Sequence, residues 1–343
     1  MSNAAPFLDA IRANPDDDHL RLIFADWLEE RGDPRGEFIR VQYALAEPPA
    51  DAKRAWALEV RAKELLAAHS TAWLGPLANL HEHITFRRGF PDEANLSVEE
   101  FLENAEALVQ TAVHRVALRH RKGILGFLDD SLPALVECPQ LGSFTGLALD
   151  GSISALGMRM LADCSALAGV KELCFSHGGF ELDGIRALAA SPFLEGITHL
   201  GIRTTPIGDL GVQALCTARM PSLTKLHLWH CEITASGVRY LASSPLLGRL
   251  TRLDLSRNKL GNTALRTLAA APKLAKVQEL LLKHTGIDSL GLRALAGSPH
   301  ATGLRLLDLS ENTLSFGGLT PLAVSPHLAG LTDLHLHGVP INQ

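Results

Sequence analysis

The chain has 343 residues, 46% apolar and 20% charged, too rich in core-forming residues for wholesale disorder. Its 32 basic and 37 acidic residues leave a net charge of −5, without the cationic excess of a phosphate-binding surface, so no nucleic-acid partner is expected. No apolar run reaches the roughly 18 residues of a membrane span, no basic-then-apolar leader opens the chain, and five cysteines without CxxC spacing fit a reducing compartment. A cytoplasmic location without membrane association is the expectation.

Residues 1–80 read as a small all-α module. PFLDAIRA is a short amphipathic helix, and Asp16, Asp17 or Asp18 is placed to cap a second, HLRLIFADWLEERG, with Leu20, Phe24, Trp27 and Leu28 as its apolar stripe. Gly32 and Pro34 end it. GEFIRVQYALAE and DAKRAWALEVRAKELLAAHSTAW supply two more helices, separated by Glu47, Pro48 and Pro49. Nine basic and 13 acidic residues here give −4, so this module carries nearly all of the net acidity. Its expected core includes Phe7, Leu8, Phe24, Trp27 and Phe38.

Pro15-Asp16-Asp17, the run Arg21-Leu22-Ile23-Phe24-Ala25-Asp26-Trp27-Leu28-Glu29-Glu30-Arg31-Gly32-Asp33, and Arg35-Gly36-Glu37-Phe38-Ile39-Arg40-Val41-Gln42 resemble the repeat-companion domain over residues 6–45. That is a short N-terminal module of bacterial proteins, often placed ahead of repeat arrays, and the resemblance implies no catalytic activity. Residues 81–112 then read as a strand near Ile84 to Arg87 and a helix capped by Ser97, an N-terminal cap for the array that follows. The expected domains are therefore 1–80 and 81–343.

Seven rows share the pattern LxxLxLxxNxL: VKELCFSHGGF (170), ITHLGIRTTPI (197), LTKLHLWHCEI (223), LTRLDLSRNKL (250), VQELLLKHTGI (277), LRLLDLSENTL (304) and LTDLHLHGVPI (331). Their central leucines recur every 26 or 27 residues, and FTGLALDGSI (144) and VHRVALRH (113) are degenerate versions. The alternation puts Leu226 and Leu228 on one strand face and His227 and Trp229 on the other. The ninth position (Ser152, Thr205, Cys231, Asn258, Thr285, Asn312) offers side chains that hydrogen-bond nearby backbone, with Gly178 and Val339 breaking the series. A short helix follows, and Ser-Pro at 191, 244, 298 and 325, or Ala-Pro at 271, stops it.

Residues 113–343 thus resemble the leucine-rich repeat family, in its longer ribonuclease-inhibitor-like class. The resemblance implies an α/β solenoid, a curved parallel sheet inside and helices outside, preceded here by the all-α module. Nine strands at about 4.8 Å would span roughly 40 Å, a protein-sized surface.

Chemistry finds little footing. His81-Glu82-His83 lacks zinc-site spacing, Asp333, His335 and His337 alternate on the last strand as a metal set to be tested, and Cys174 alone of the thiols projects from the sheet without a convincing base. Arg87, Arg88, Arg115, Arg119, His120, Arg121 and Lys122 form the one basic concentration. No phosphate-loop, nucleophile-elbow or dinucleotide signature occurs, so no enzyme, cofactor or metal is expected. The strand columns say more. Bulky groups gather from row 223 onward, and Trp229 with His227, His230, Asp254, Arg257, Lys283 and His284 is the expected partner site, tryptophan being a favoured anchor of binding hot spots. The expected function is a non-enzymatic scaffold binding a protein on the concave sheet. The alternatives are a targeting subunit of a regulatory or enzymatic assembly, or a structural assembly component. The chain halts at Ile341-Asn342-Gln343 just after a strand, which leaves the C-terminal edge for self-association.

Overall fold

A computed structural model describes residues 4–13, 17–46, 51–120, 128–314 and 316–339. Its contacts divide the chain between Leu118 and Arg119. Phe86 and Phe90, from the segment 81–112, pack into the apolar clusters of the helices before them.

In Met1–Leu118, α1 (Ala5–Ala13), α2 (Asp18–Glu29), α3 (Pro34–Ala46) and α4 (Ala52–Leu74) precede an antiparallel hairpin of β1 (Ile84–Arg87) and β2 (Phe90–Ser97). Then come α5 (Val98–Val109) and β3 (Arg115–Arg119), which neighbours β2. Asp17 proves to be the cap of α2, accepting the His19 and Leu20 amides, and Ser97 with Glu100 forms a reciprocal capping box on α5. Asp16 and the breaker at 47–49 lie outside the described residues.

Two apolar clusters form where one was expected. Ile11, Phe24, Ala25, Leu28, Ile39 and Phe90 make the first, with Phe7, Leu8 and Trp27 on its margin. Phe38, Val41, Ala62 and Leu65 make the second, with Trp73 and Phe86 against it. Successive residues Phe38 and Ile39 serve different clusters because a helix turns by about 100° per residue. The hairpin turn is held by the very residues that carry the companion-domain resemblance. Gln42 accepts the Gly89 amide and donates to the Phe86 carbonyl, and the Arg35 guanidinium lies 4.7 Å from the Phe90 ring centre. Gly89 has φ +85°, and a side chain there would collide with Ile39.

The second unit realises the rows. After α6 (Leu132–Val136) come β4 (Gly146–Asp150), α7 (Ala155–Ala162), β5 (Glu172–Ser176), α8 (Glu181–Ala190), β6 (His199–Arg203), α9 (Gly208–Thr217), β7 (Lys225–Trp229) and α10 (Ala235–Ser243). They continue as β8 (Arg252–Asp254), α11 (Gly261–Ala269), β9 (Glu279–Leu281), α12 (Ser289–Ala296), β10 (Leu306–Asp308), α13 (Phe316–Ala323) and β11 (Asp333–His335). From β4 onward each strand is parallel to the next, and the register sets Leu147, Leu173, Leu200, Leu226, Leu253, Leu280, Leu307 and Leu334 side by side. All are buried to 1% exposure or less except Leu334, at 39%. Leu228, Leu255 and Leu282 form a second buried column, as the period requires.

The Ser-Pro stops do more than end helices. Ser191, Ser244, Ser298 and Ser325 each donate their hydroxyl to a carbonyl at the end of the preceding row's helix, those of Ala162, Cys216, Ala269 and Ala296. Those carbonyls lack intrahelical partners, so each row satisfies the helix terminus of the one before.

Candidate functional site

Strand alternation leaves the third, fifth and seventh row positions on the sheet face opposite the leucines. Register pairs Gly201 with His227 and His227 with Asp254 in the fifth column, and Arg203 with Trp229 in the seventh. Of the seven residues singled out from sequence, only His227, Trp229 and Asp254 stand on strands, and Lys283 follows β9. His230, Arg257 and His284 come one step later, at an eighth position with φ of 55°, 58° and 53°. His177, Thr204 and Glu311 share that left-handed conformation at the same place in their rows. Left-handed backbone costs about 1–2 kcal/mol per non-glycine residue, so something downstream must hold these turns.

The ninth-position side chains do so. Asn258 accepts the amides of Cys231 and Ile233 in the preceding row and donates to the carbonyls of Leu228, Leu255 and Ser256. Asn312 repeats the arrangement on Thr285, Ile287, Leu282, Leu309 and Ser310. Both are 2% exposed, and each meets backbone groups that the tight turn has removed from the ladder.

Above these turns, Trp229 is half-buried, His230 and His284 are exposed, and Arg257 and Lys283 lie between. His227 and Asp254 are not exposed at the surface: they retain 8% and 9% accessibility. The His227 ring packs against His199 with centroids 4.6 Å apart, and an Asp254 oxygen accepts the Ser256 amide at 2.9 Å. Burial, followed by the neighbouring His199, Arg252, Arg203 and Lys225, pushes the His227 imidazole down to about 3. His199 is lowered as well, chiefly by burial. The Nε2 of each ring is buried without a hydrogen-bond partner among the described residues.

Glu311 is the residue that the sequence reading missed. Its carboxylate reaches Lys283 at 3.0 Å, Arg257 at 3.3 Å and His284 at 3.8 Å. The hydrogen bond from Lys283 is the largest cause of its lowered pKa, with the Lys283, Arg257 and His284 charges adding to it. Arg257 in turn lies 5.4 Å from the Trp229 ring centre, and His230 meets the same indole edge-on at 5.6 Å. The available signal was positional, since Glu311 stands 54 residues after Arg257 in the same eighth position. The indole also borders a hollow of about 390 Å³ lined by Ser176, His177, Arg203, Thr204, Trp229 and Asp254.

Residues 219–242 and 250–269 match the family model described as Leucine Rich repeat, and they fall on rows whose strands, ninth-position ladder and helices have just been traced. These two rows are leucine-rich repeats. Among solved structures, the chain is similar to an internalin from Listeria monocytogenes at 18% identity and a TM-score of 0.42. That likeness covers 69% of this chain and 65% of the internalin, less than two thirds of its length. A protein from Bacteroides fragilis is similar at 14% identity and TM-score 0.41, covering 84% of this chain and 85% of that one. The crystal structure of the yeast Rad7 and Elc1 complex contains a chain similar at 15% identity and TM-score 0.44, covering 99% and 87%. No curated protein sequence matches significantly.

The remaining chemistry of the repeat protein is quiet. Cys231 sits in the ladder, and burial pushes its thiol up to about 12, far from the thiolate that nucleophilic work requires. Among the described residues no three His, Cys, Asp or Glu side chains converge as metal ligands, and Asp333, His335 and His337 are all exposed. Much of the basic concentration is internally matched, with Arg88 on Asp18 at 2.8 Å and Arg115 on Asp92 and Glu93 at 3.0 and 3.1 Å. Arg121 and Lys122 lie outside the described residues, as do Ile341, Asn342 and Gln343. No described helix is long and apolar enough to cross a membrane.

Proposed function

We propose that the chain is a non-enzymatic recognition scaffold that binds a protein partner on the open face of the repeat sheet. The binding centre is Trp229, with His227, His230, Asp254, Arg257, Lys283 and His284 around it. The observation that carries this reading is the setting of the indole. It is a large, half-buried aromatic at a strand end, backed by two buried leucine columns and flanked by Arg257 and His230. Rigid backing lowers the entropy lost on binding, and tryptophan beside arginine is the composition enriched in hot spots. His227 and Asp254 act in this reading from beneath, by setting the position of the exposed groups. We further propose that Met1–Leu118 is an accessory module of the repeat-companion type, that the protein works in the cytoplasm, and that the C-terminal strand edge is the route for any self-association. Trp229→Ala should weaken capture of the native partner by about 2 kcal/mol or more while leaving the melting curve close to that of the parent. Unchanged affinity in the folded variant would remove the reading.

A further inference from the structure

Resting on the open-face reading, the charge arrangement there goes further and specifies the partner. Two cations border Trp229 along the row ends, Arg203 across the sheet on β6 and Arg257 at 5.4 Å from the ring centre, and Lys283 stands in the row after Arg257. Glu311 engages Arg257 and Lys283. Arg203 is exposed and has no ion pair or hydrogen bond to its guanidinium among the described residues. The acids near it are already occupied: Asp150 holds His177 at 2.8 Å, and Asp254 is nearly buried with one oxygen on the Ser256 amide. The hollow shared by Arg203 and Trp229 therefore presents one unmatched guanidinium beside one indole, in a volume of about 390 Å³ that suits one or two side chains.

We propose that this hollow receives an acidic peptide segment of a partner protein, with a carboxylate on Arg203 and an adjacent apolar or aromatic side chain on Trp229. A guanidinium fork matches a carboxylate in two parallel hydrogen bonds, and the indole face takes the neighbouring side chain. A nucleic acid fits less well, because a phosphate track needs several free cations in line and here Glu311 already engages Arg257 and Lys283. The chain as a whole carries −5, so attraction for an acidic segment is local to this hollow rather than a property of the net charge. The contact is exposed at Arg203, and salt should weaken it.

The test is fluorescence anisotropy of a labelled random copolymer of glutamate and tyrosine, titrated with the full chain at low and physiological salt. A lysine and tyrosine copolymer and a single-stranded oligouridylate run alongside. The expected result is saturable binding of the acidic copolymer alone, weakened at least about tenfold by Arg203→Glu and by Trp229→Ala, partly kept by Arg203→Lys, and unchanged by Arg293→Glu on the exposed side of α12. Thermal melts establish that each variant is folded. Absence of binding, equal binding by folded Arg203→Glu, or tighter binding of the basic copolymer or the oligouridylate would overturn the proposal. If the acidic copolymer ignores Arg203 while native partner capture still falls with Trp229→Ala, the acidic class is wrong and the open-face reading survives. If neither responds to Trp229, both fail.

Discussion

Burial is achieved differently in the two units. From row 144 onward each leucine of the central column lies beside another leucine one strand away, so a row is protected by its neighbours: Leu253 has one on either side and is 0% exposed, while Leu334 has one and is 39% exposed. In Met1–Leu118 nothing repeats. Phe24 depends on Phe90, Phe38 on Phe86, and the turn between those two phenylalanines on Arg35, Ile39 and Gln42. The contrast separates stability that accumulates by repetition from stability that hangs on a few long-range contacts.

The sharpest way to break the comparison is through the leucine column. Leu253→Ala should cost about 2–5 kcal/mol in urea unfolding, the range for a large-to-small change in a closed core. Leu334→Ala should cost under about 1 kcal/mol, because less apolar surface leaves water there on folding. Equal losses would mean that the last row is as enclosed as the middle ones.

Next is the ladder. Asn258→Ala should destabilise by about 1–3 kcal/mol, because the buried Cys231 and Ile233 amides lose their acceptor and three carbonyls lose a donor. Hydrogen exchange should localise the damage to rows 223 and 250. In the first unit Gly89→Ala should cost about 1–3 kcal/mol through overpacking against Ile39 and an unfavourable left-handed φ. It should lower the unfolding transition of the first unit and spare the repeats, and a shift of both transitions together would show that the units unfold as one.

The remaining effect is one of pH. The folded His227 imidazole is held down to about 3 against an ordinary 6.5, so between those values the unfolded chain binds a proton that the folded chain refuses. Stability is therefore complete above about pH 6.5 and declines as the pH falls toward 3, with His199 contributing in the same direction. His227→Leu should flatten that part of a chemical-denaturation profile, and an unaltered slope would show that the ring is protonated in the native state.

Much of the repeat unit was legible because its information is local and periodic. A two-residue alternation chooses the buried face, a 26- or 27-residue spacing superimposes the rows, and Ser-Pro stops the helices, so the strand register could be written down from leucine positions alone. Asp209 and Asn262 were harder to find. Each caps the helix of the following row, Asp209 through the Thr234 and Gly237 amides and Asn262 through those of Asp288 and Gly291, and their partners lie 25 to 29 residues away. Gly237 and Gly291 leave room for those caps.

The sequence by itself determined the repeat architecture, the buried columns and the face left open, since each follows from residue type and spacing along one row. Tertiary structure alone decided which groups on that face remain available. His227 and Asp254 sink beneath their neighbours, Glu311 gathers Lys283, Arg257 and His284, and Arg203 is left unmatched among the described residues. It also decided that the first unit extends to Leu118. The physical reason is common to both: exposure and charge pairing depend on what stands one or two strands away, and the hairpin's place depends on contacts that no period encodes.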